Sequence, residues 1–124
     1  MDNFSEKLKQ KTKQFAIEIL KFSKGFNKTD ESYIIKKQLL RSAFSVAANY
    51  RAVCRARSNA EFISKLSIVV EEADECVFWI ELSIDAEIIS KEKSRLMLNE
   101  ANEILAIMSK SRKTIKNRIN SSNQ

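Results

Sequence analysis

Apolar residues recur every three or four positions along almost the whole chain, and this spacing predicts four amphipathic helices. We expect the first helix over residues 3–26 and the second over residues 30–56, with Gly25 near the end of the first, where glycine is favoured. The apolar stripe of the first helix comprises Phe4, Leu8, Phe15, Ile19, Phe22 and Phe26. The stripe of the second helix comprises Ile35, Leu39, Ala43, Val46, Tyr50 and Val53.

Serine residues mark the starts of the third and fourth helices. Ser58 and Glu61 have the spacing of a capping box, so the third helix is predicted to begin at Ser58 and to end near Glu87. The fourth helix, capped by Ser90, is expected to fray at residues 119–124. The two stripes comprise Phe62, Leu66, Val69, Ala73, Cys76, Val77, Ile80 and Ile84 in the third helix, and Met97, Ala101, Ile104, Met108, Ser111, Ile115 and Ile119 in the fourth.

The composition is typical of a small helical protein. Of the 124 residues, 44% are hydrophobic and 31% are charged, with one glycine and no proline. Because tight turns favour glycine and proline, a β fold is disfavoured, and we predict one all-α domain over residues 1–124. Four helices joined by short turns are expected to pack as an antiparallel up-down-up-down bundle. In it we place the start of the first helix and the end of the fourth at opposite ends.

The sequence lacks the motifs of an enzyme or a metal protein. It contains no histidine, no phosphate-binding glycine loop and no nucleophile elbow, so we predict no catalytic activity, no metal and no cofactor. Glu71 and Glu75 face away from the core stripe, unlike the carboxylates of di-iron bundles. Cys54 and Cys76 lie too far apart along the bundle for a disulfide, so both are predicted to be reduced.

The location of the protein is predicted from what the chain does not contain. No run approaches the roughly 20 apolar residues that span a membrane. The N-terminal residues are charged where a secretory signal would be apolar. We therefore expect a cytoplasmic protein.

The second and third predicted helices each carry another ordered ridge, opposite the core stripe. The ridge of the second helix is basic and partly apolar and comprises Lys37, Arg41, Phe44, Ala48, Arg51 and Arg55. The ridge of the third is acidic and apolar and comprises Ile68, Glu71, Glu75, Phe78 and Leu82, flanked by Trp79. A monomer would leave these apolar residues in water, which indicates an interface between subunits.

The opposite charges of the two ridges predict how copies of the chain associate. We expect Arg41, Arg51 and Arg55 of one subunit to meet Glu71 and Glu75 of the next, in a head-to-tail contact. Such contacts close into rings or continue as filaments, and we predict a cyclic homo-oligomer. The alternative is that both ridges are solvated faces with a few scattered apolar residues.

The net charge of +6 is unevenly distributed along the chain. Residues 1–60 carry 13 basic and 5 acidic groups, residues 61–103 carry 4 and 11, and residues 104–124 carry 5 and 0. Basic blocks attract polyanions, so RNA or DNA is a predicted partner. The candidate contacts are Lys7, Lys11, Arg55, Arg57, Lys110, Arg112, Lys113, Lys116 and Arg118.

Two alternatives to nucleic-acid binding remain open. In the first alternative, these basic residues serve only to keep their helices solvated. In the second, the same surfaces dock another protein. Few aromatic residues interleave with the lysines, so stacking on single-stranded bases is not predicted.

The stretch over residues 38–82 resembles the four-helix-bundle proteins encoded by intervening sequences in bacterial large-subunit rRNA genes. The resemblance is carried by Gln38, Arg41, Ser45, Ala48, Asn49, Arg55, Arg57, Ser58, Glu61, Phe62, Glu71, Glu75, Trp79 and Ile80. It implies an antiparallel bundle that assembles as a ring, usually a homopentamer. The family has no settled biochemical role, so the basic residues above and the absence of enzyme motifs are what favour a non-enzymatic protein that binds nucleic acid or serves as a scaffold.

A related group in the same superfamily is the accessory variability determinant of diversity-generating retroelements. The resemblance to that group implies an alternative function, as an accessory factor that docks a reverse-transcriptase-like partner. Proteins of the accessory group are strongly basic, and this chain is less so, which makes it more similar to the intervening-sequence group.

Overall fold

The protein consists of four α-helices, and the computed structural model describes residues 3–122. α1 spans Asn3–Ser23, α2 spans Asp30–Cys54, α3 spans Asn59–Asp85 and α4 spans Lys91–Ser122. Within the described range there is no strand, so the predicted all-α class is confirmed. None of these four helices combines the length and the apolar character needed to cross a bilayer.

Hydroxyl side chains cap the N-termini of three of the helices. Thr29, Ser58 and Ser90 each accept a hydrogen bond from the backbone N–H three residues further on, at 3.1 to 3.2 Å. Each cap satisfies an amide that has no partner inside its own helix. The caps predicted at Ser58 and Ser90 are confirmed. The carboxylate of Glu61, however, accepts from the amide of Arg57 at 3.5 Å, one residue before the cap.

The predicted apolar stripes meet in one core, except that Ile115 and Ile119 near the end of α4 lie outside it and are half-buried. Its largest enclosed side chains are Phe15, Ile19, Leu39, Leu66, Ile80, Ile104 and Met108. Burying a side chain of this size contributes roughly 1.5–3 kcal/mol. Phe4 is the exception to the first stripe, because it lies in the first turn of α1, where no neighbouring helix covers it, and it is 59% exposed.

All four helix ends differ from the predicted boundaries, and α3 ends at Asp85, two residues before Glu87. α1 and α2 end before residues 26 and 56 because the amides that follow them bond to carbonyls three residues back, which tightens the chain into turns. α4 continues past residue 119 as far as Ser122, and the fraying of residues 119–124 stays a prediction. Residues 123–124 lie outside the described residues.

The two ends of the bundle are built from different segments. At one end the α1–α2 turn meets the α3–α4 turn, where the Asn27 amide donates to Ile88 O at 3.3 Å. At the other end, a single cleft is lined by Phe4 of α1, Tyr50 of α2, Phe62 of α3 and the second half of α4. The prediction that the start of α1 and the end of α4 lie at opposite ends is therefore wrong. An even number of helices joined by short turns returns the chain to the end where it began.

The turn after α3 contains the one described residue other than glycine with a left-handed backbone, Glu87 at φ 58°. Its amide donates to Ile84 O at 3.0 Å, and the Ile88 amide donates to Ser83 O at 2.9 Å. These bonds form a Schellman cap, whose left-handed position is usually occupied by glycine. Because an L side chain in this conformation costs roughly 1–2 kcal/mol, Glu87 is a strained residue.

Glu87→Gly is expected to stabilise the protein by about 1 kcal/mol, since glycine reaches the left-handed conformation without a Cβ clash. Denaturant unfolding followed by circular dichroism measures the change, at one protein concentration because self-association couples stability to concentration. Glu87→Ala is the matched control, because it removes the same carboxylate but keeps the Cβ. Equal stabilities of the two variants would show that this backbone conformation does not limit stability.

Candidate nucleic-acid interface and subunit contact surface

Arg41 of α2 links two carboxylates of α3 within the same chain. Its Nη1 lies 2.8 Å from Glu72 Oε2, and its Nη2 lies 2.9 Å from Glu75 Oε1. The Glu72 side chain is only 11% exposed, whereas those of Arg41 and Glu75 are 50% and 42% exposed. An ion pair with one enclosed partner holds two helices in register more than it adds net stability.

The two carboxyl groups beside Arg41 titrate differently. Burial raises the pKa of Glu72, but hydrogen bonds from Glu75, Ser45 and Arg41 and the charge of Arg41 outweigh it, so this pKa is lowered. The hydrogen bond to Glu72, together with burial, leaves the pKa of Glu75 raised in spite of Arg41. Glu72 is therefore the ionised partner, and Glu75 takes up a proton first as the pH falls.

The sequence predicts that Arg41 of one subunit contacts Glu75 of the next, and Glu72 is not among the predicted interface residues. The intrachain bridge gives both predicted residues a partner inside the subunit. Glu72 lies three residues after Val69 and four before Cys76, both of which are fully enclosed, so it occupies the edge of the core stripe. This spacing in the sequence predicts that the Glu72 carboxylate is enclosed and needs a hydrogen-bonding or charged partner.

The basic ridge of α2 is open to solvent over its whole length. Its six exposed residues are Lys37, Arg41, Phe44, Ala48, Arg51 and Arg55. Arg51 and Arg55 make no ion pair with any residue from 3 to 122, and neither does Glu71 on α3. These three charges are therefore available to another molecule.

The ridge of α3 is less exposed than its counterpart on α2. Glu71 and Phe78 are exposed, whereas the remaining four are half-buried, namely Ile68, Glu75, Trp79 and Leu82. The Trp79 ring packs against the core and meets the Phe78 ring edge to face, with centroids 4.9 Å apart. Phe44 and Phe78, 44% and 52% exposed, are thus the main apolar groups that the two ridges present to solvent.

Most of the predicted nucleic-acid contacts lie at the end of the bundle that holds the cleft. The second half of α4 carries five basic residues and no acidic one after Glu103. Arg118 lines a surface hollow together with Asn59, which brings the α2–α3 turn beside α4. We call this region the basic end, and it comprises Lys7, Arg55, Arg57, Lys110, Arg112, Lys113, Lys116 and Arg118.

Lys11 differs from the other predicted contacts. Its Nζ lies 3.0 Å from Oε1 of both Glu100 and Glu103, so it ties α1 to α4. Burial lowers the pKa of Lys11, but hydrogen bonds and charge from the two carboxylates outweigh it and leave the pKa raised. Because its charge is already neutralised, Lys11 is the least suited of the set to bind a phosphate.

The cleft at the basic end has a volume of about 610 Å³. Its apolar lining includes Tyr50 and Leu66, which are 5% and 1% exposed and belong to the core. Lys110 and Arg118 lie on the α4 side and Phe4 on the α1 side. Hydroxyl groups of Ser5, Ser111 and Thr114 complete the lining. The cleft therefore combines an apolar interior with positive charge.

Metal-ligand clusters and disulfides are absent from the described residues 3–122. In residues 3–122, no group of three or more Asp, Glu, Cys or His side chains is placed to hold a metal ion. Cys54 and Cys76 form no disulfide, as predicted, and burial raises the pKa of the Cys76 thiol. Asn49 donates to Ser45 O and Oγ, both at 2.9 Å, within its own helix.

The chain is similar to proteins of one family. Residues 6–110 match the family model described as 23S rRNA-intervening sequence protein. Among solved structures, a similar one is a protein with unknown function from the S23 ribosomal protein family of Bacteroides thetaiotaomicron. The two share 35% sequence identity with a TM-score of 0.79, over 86% of this chain and 98% of that chain. No match was found among curated proteins.

Arg41→Gln is expected to lower the free energy of unfolding by on the order of 2 kcal/mol at neutral pH, because the enclosed Glu72 carboxylate loses its charged donor. Arg51→Gln is the matched control on the same helix, exposed and without an ion pair, and should change stability by less than about 0.5 kcal/mol. Denaturant titrations of both variants measure the difference. Equal losses would contradict the structural role of the bridge.

The deficit of Arg41→Gln should also shrink on acidification. The pKa of Glu72 is lowered, so its stabilising contribution is present above the ordinary value of 4.5 and is lost as the pH falls through the lowered pKa. The pKa of Glu75 is raised, so its contribution has the opposite sign and is lost as the pH rises. An unchanged deficit between neutral pH and about pH 3 would contradict the assignment of Glu72 as the ionised partner.

Proposed function

Because the chain belongs to the 23S rRNA-intervening sequence protein family, we propose that it is a non-enzymatic, self-associating protein that binds RNA or DNA through its basic end. In this proposal the four helices are antiparallel and the subunits form a cyclic homo-oligomer, with a pentamer as the expected ring.

The observation that carries the proposal is the meeting of cationic segments from three helices at one end of the bundle. The start of α1 and the second half of α4 share the cleft, and the turn after α2 lies beside the end of α4. Each phosphate that a cation contacts releases counterions, so affinity rises with the number of cations brought together. Contacts of this kind recognise the backbone, so binding should be sensitive to salt and poorly selective for sequence.

Self-association is supported by the exposed ridges of α2 and α3. They carry opposite charges, and Arg51, Arg55 and Glu71 make no ion pair within the described residues 3–122. Phe44 and Phe78 supply apolar surface that a partner would cover. Two different patches of one chain that complement each other make a head-to-tail contact, which closes into a ring when the rotation permits.

Neutralising the end of α4 should weaken nucleic-acid binding. In the triple variant Lys113→Gln, Lys116→Gln and Arg118→Gln, affinity for a single-stranded RNA should fall. The slope of log K against log salt should also fall, by up to about 2, at roughly 0.7 per lost phosphate contact. Fluorescence anisotropy at several salt concentrations measures both quantities.

The matched control for this experiment carries the same change in charge at the other end of the bundle. Lys24→Gln, Lys28→Gln and Lys36→Gln replace three lysines that surround the α1–α2 turn. Equal effects of the two triple variants would attribute binding to net charge and contradict the proposed surface. An intact protein that binds neither RNA nor DNA at low salt would instead favour the docking of a protein partner.

Charge reversal at the unpaired ridge residues should dissociate the oligomer. Arg51→Glu or Glu71→Arg is expected to reduce the particle mass in light scattering, because like charges would face each other at a contact where a broken pair costs roughly 2–5 kcal/mol. The double variant should partly restore the mass. Lys21→Glu, on the exposed side of α1, is the control and should leave it unchanged. Unchanged masses in both single variants would contradict this pairing.

A further inference from the structure

Phe4 is the most exposed aromatic residue among residues 3–122, with 59% of its surface accessible. The other phenylalanines of α1 and the following turn are buried or half-buried, so this ring departs from the pattern of its own helix. It lines the cleft together with Lys110 and Arg118 of α4. An aromatic face beside two cations is the combination that single-stranded nucleic-acid sites use.

The dimensions of the cleft suit one flat, partly polar group. Its volume of about 610 Å³ lies within the range of roughly 300–1,000 Å³ that is typical of small-molecule sites. The enclosed part is apolar, and the hydroxyl groups of Ser111 and Thr114 supply hydrogen-bonding atoms along α4. A nucleobase has apolar faces and polar edges, and this lining offers a partner to both.

The charge around the cleft indicates a polyanion more than a small anion with a single charged group. Lys110 and Arg118 are eight residues apart on α4, which is roughly 12 Å along the helix. Long side chains at such a spacing can reach two different phosphates of one strand. Arg112, Lys113 and Lys116 continue the positive charge along the same helix, where a longer strand could follow.

We propose that the cleft receives an unpaired base of single-stranded nucleic acid, which stacks on Phe4 while Lys110 and Arg118 hold the flanking phosphates. This inference rests on the proposed function and adds to it that the basic end distinguishes single strands from duplexes. A duplex keeps its bases stacked on each other, so it reaches the cations but not the ring of Phe4. The aromatic contact was missed in the sequence because Phe4 and the lysines of α4 are more than 100 residues apart.

Binding of three probes of equal length tests the inference: a single-stranded oligothymidylate, a strand of the same backbone without bases, and a duplex. The wild-type protein should bind the oligothymidylate more tightly than the baseless strand. Phe4→Ala should weaken binding of the oligothymidylate by about 5- to 100-fold, the range expected for one stacked base. The same variant should leave the affinity for the baseless strand and the duplex unchanged, together with the salt dependence.

Two further variants separate stacking from other effects. Phe4→Leu keeps an apolar side chain without the ring, and should lose most of the same affinity. Tyr33→Ala removes a ring of matched exposure, 58%, which lies beneath Lys36 and Lys37 but outside the cleft, and should lose none. Light scattering of each variant must return the wild-type mass, which it should because Phe4 and Tyr33 lie outside both ridges.

The outcomes that overturn the inference differ from those that overturn the proposed function. Equal wild-type affinity for strands with and without bases would exclude an inserted base while leaving backbone binding intact. The same conclusion would follow if Phe4→Leu bound like wild type or if Tyr33→Ala lost as much affinity as Phe4→Ala. A wild-type protein that bound none of the three probes at low salt would overturn both.

Discussion

The short connections between the helices are the constraint on which both candidate surfaces depend. Residues 24–29, 55–58 and 86–90 are too few to carry the chain far, so helices that follow each other in sequence pack side by side. The acidic α3 therefore lies against the basic α2, and α4 returns to the start of α1. Charge blocks that alternate along the sequence become distinct surfaces. One is the α2–α3 side, where Arg41 is paired within the chain and leaves other ridge charges unpaired in residues 3–122, and the other is the positive end.

Burial decides which charges take a partner inside the chain. Glu72 is enclosed beside the core and cannot stay ionised without a donor, so Arg41 is drawn to it. Lys11, 26% exposed, is held in the same way by Glu100 and Glu103. Arg51 has the same residue type as Arg41, lies on the same ridge and is likewise exposed, but it makes no ion pair with residues 3–122, so its charge stays available. A position on the ridge therefore does not tell whether an arginine pairs within its own chain. The presence of an enclosed carboxylate on the neighbouring helix α3 does.

Much of the fold followed from local patterns in the sequence, because helix period and capping depend only on nearby residues. The caps at Ser58 and Ser90 and the stripes of α2 and α3 are examples. Phe4 shows where the pattern fails: the period continues to the end of a helix, but burial needs a neighbour to cover that end. The cleft, the Arg41 bridge and the Lys11 bridge join residues far apart in sequence, so their contacts required the packed structure. The shared location of the start of α1 and the end of α4 could have been predicted from the number of helices, since four helices joined by short turns bring the chain back to the end where it began.

Self-association and polyanion binding reinforce each other in the proposed assembly. Rotation about an axis preserves position along it, so a ring would carry every basic end at the same level. The repeated positive charge opposes assembly, while the ridges with Phe44 and Phe78 favour it. A strand that contacts several basic ends relieves this repulsion and gains from each additional subunit. By thermodynamic linkage, the free energy by which a bound strand stabilises the ring equals the free energy by which ring assembly increases the affinity for the strand. In this proposal, the net charge of +6 that would keep isolated copies apart would be the means by which nucleic acid holds them together.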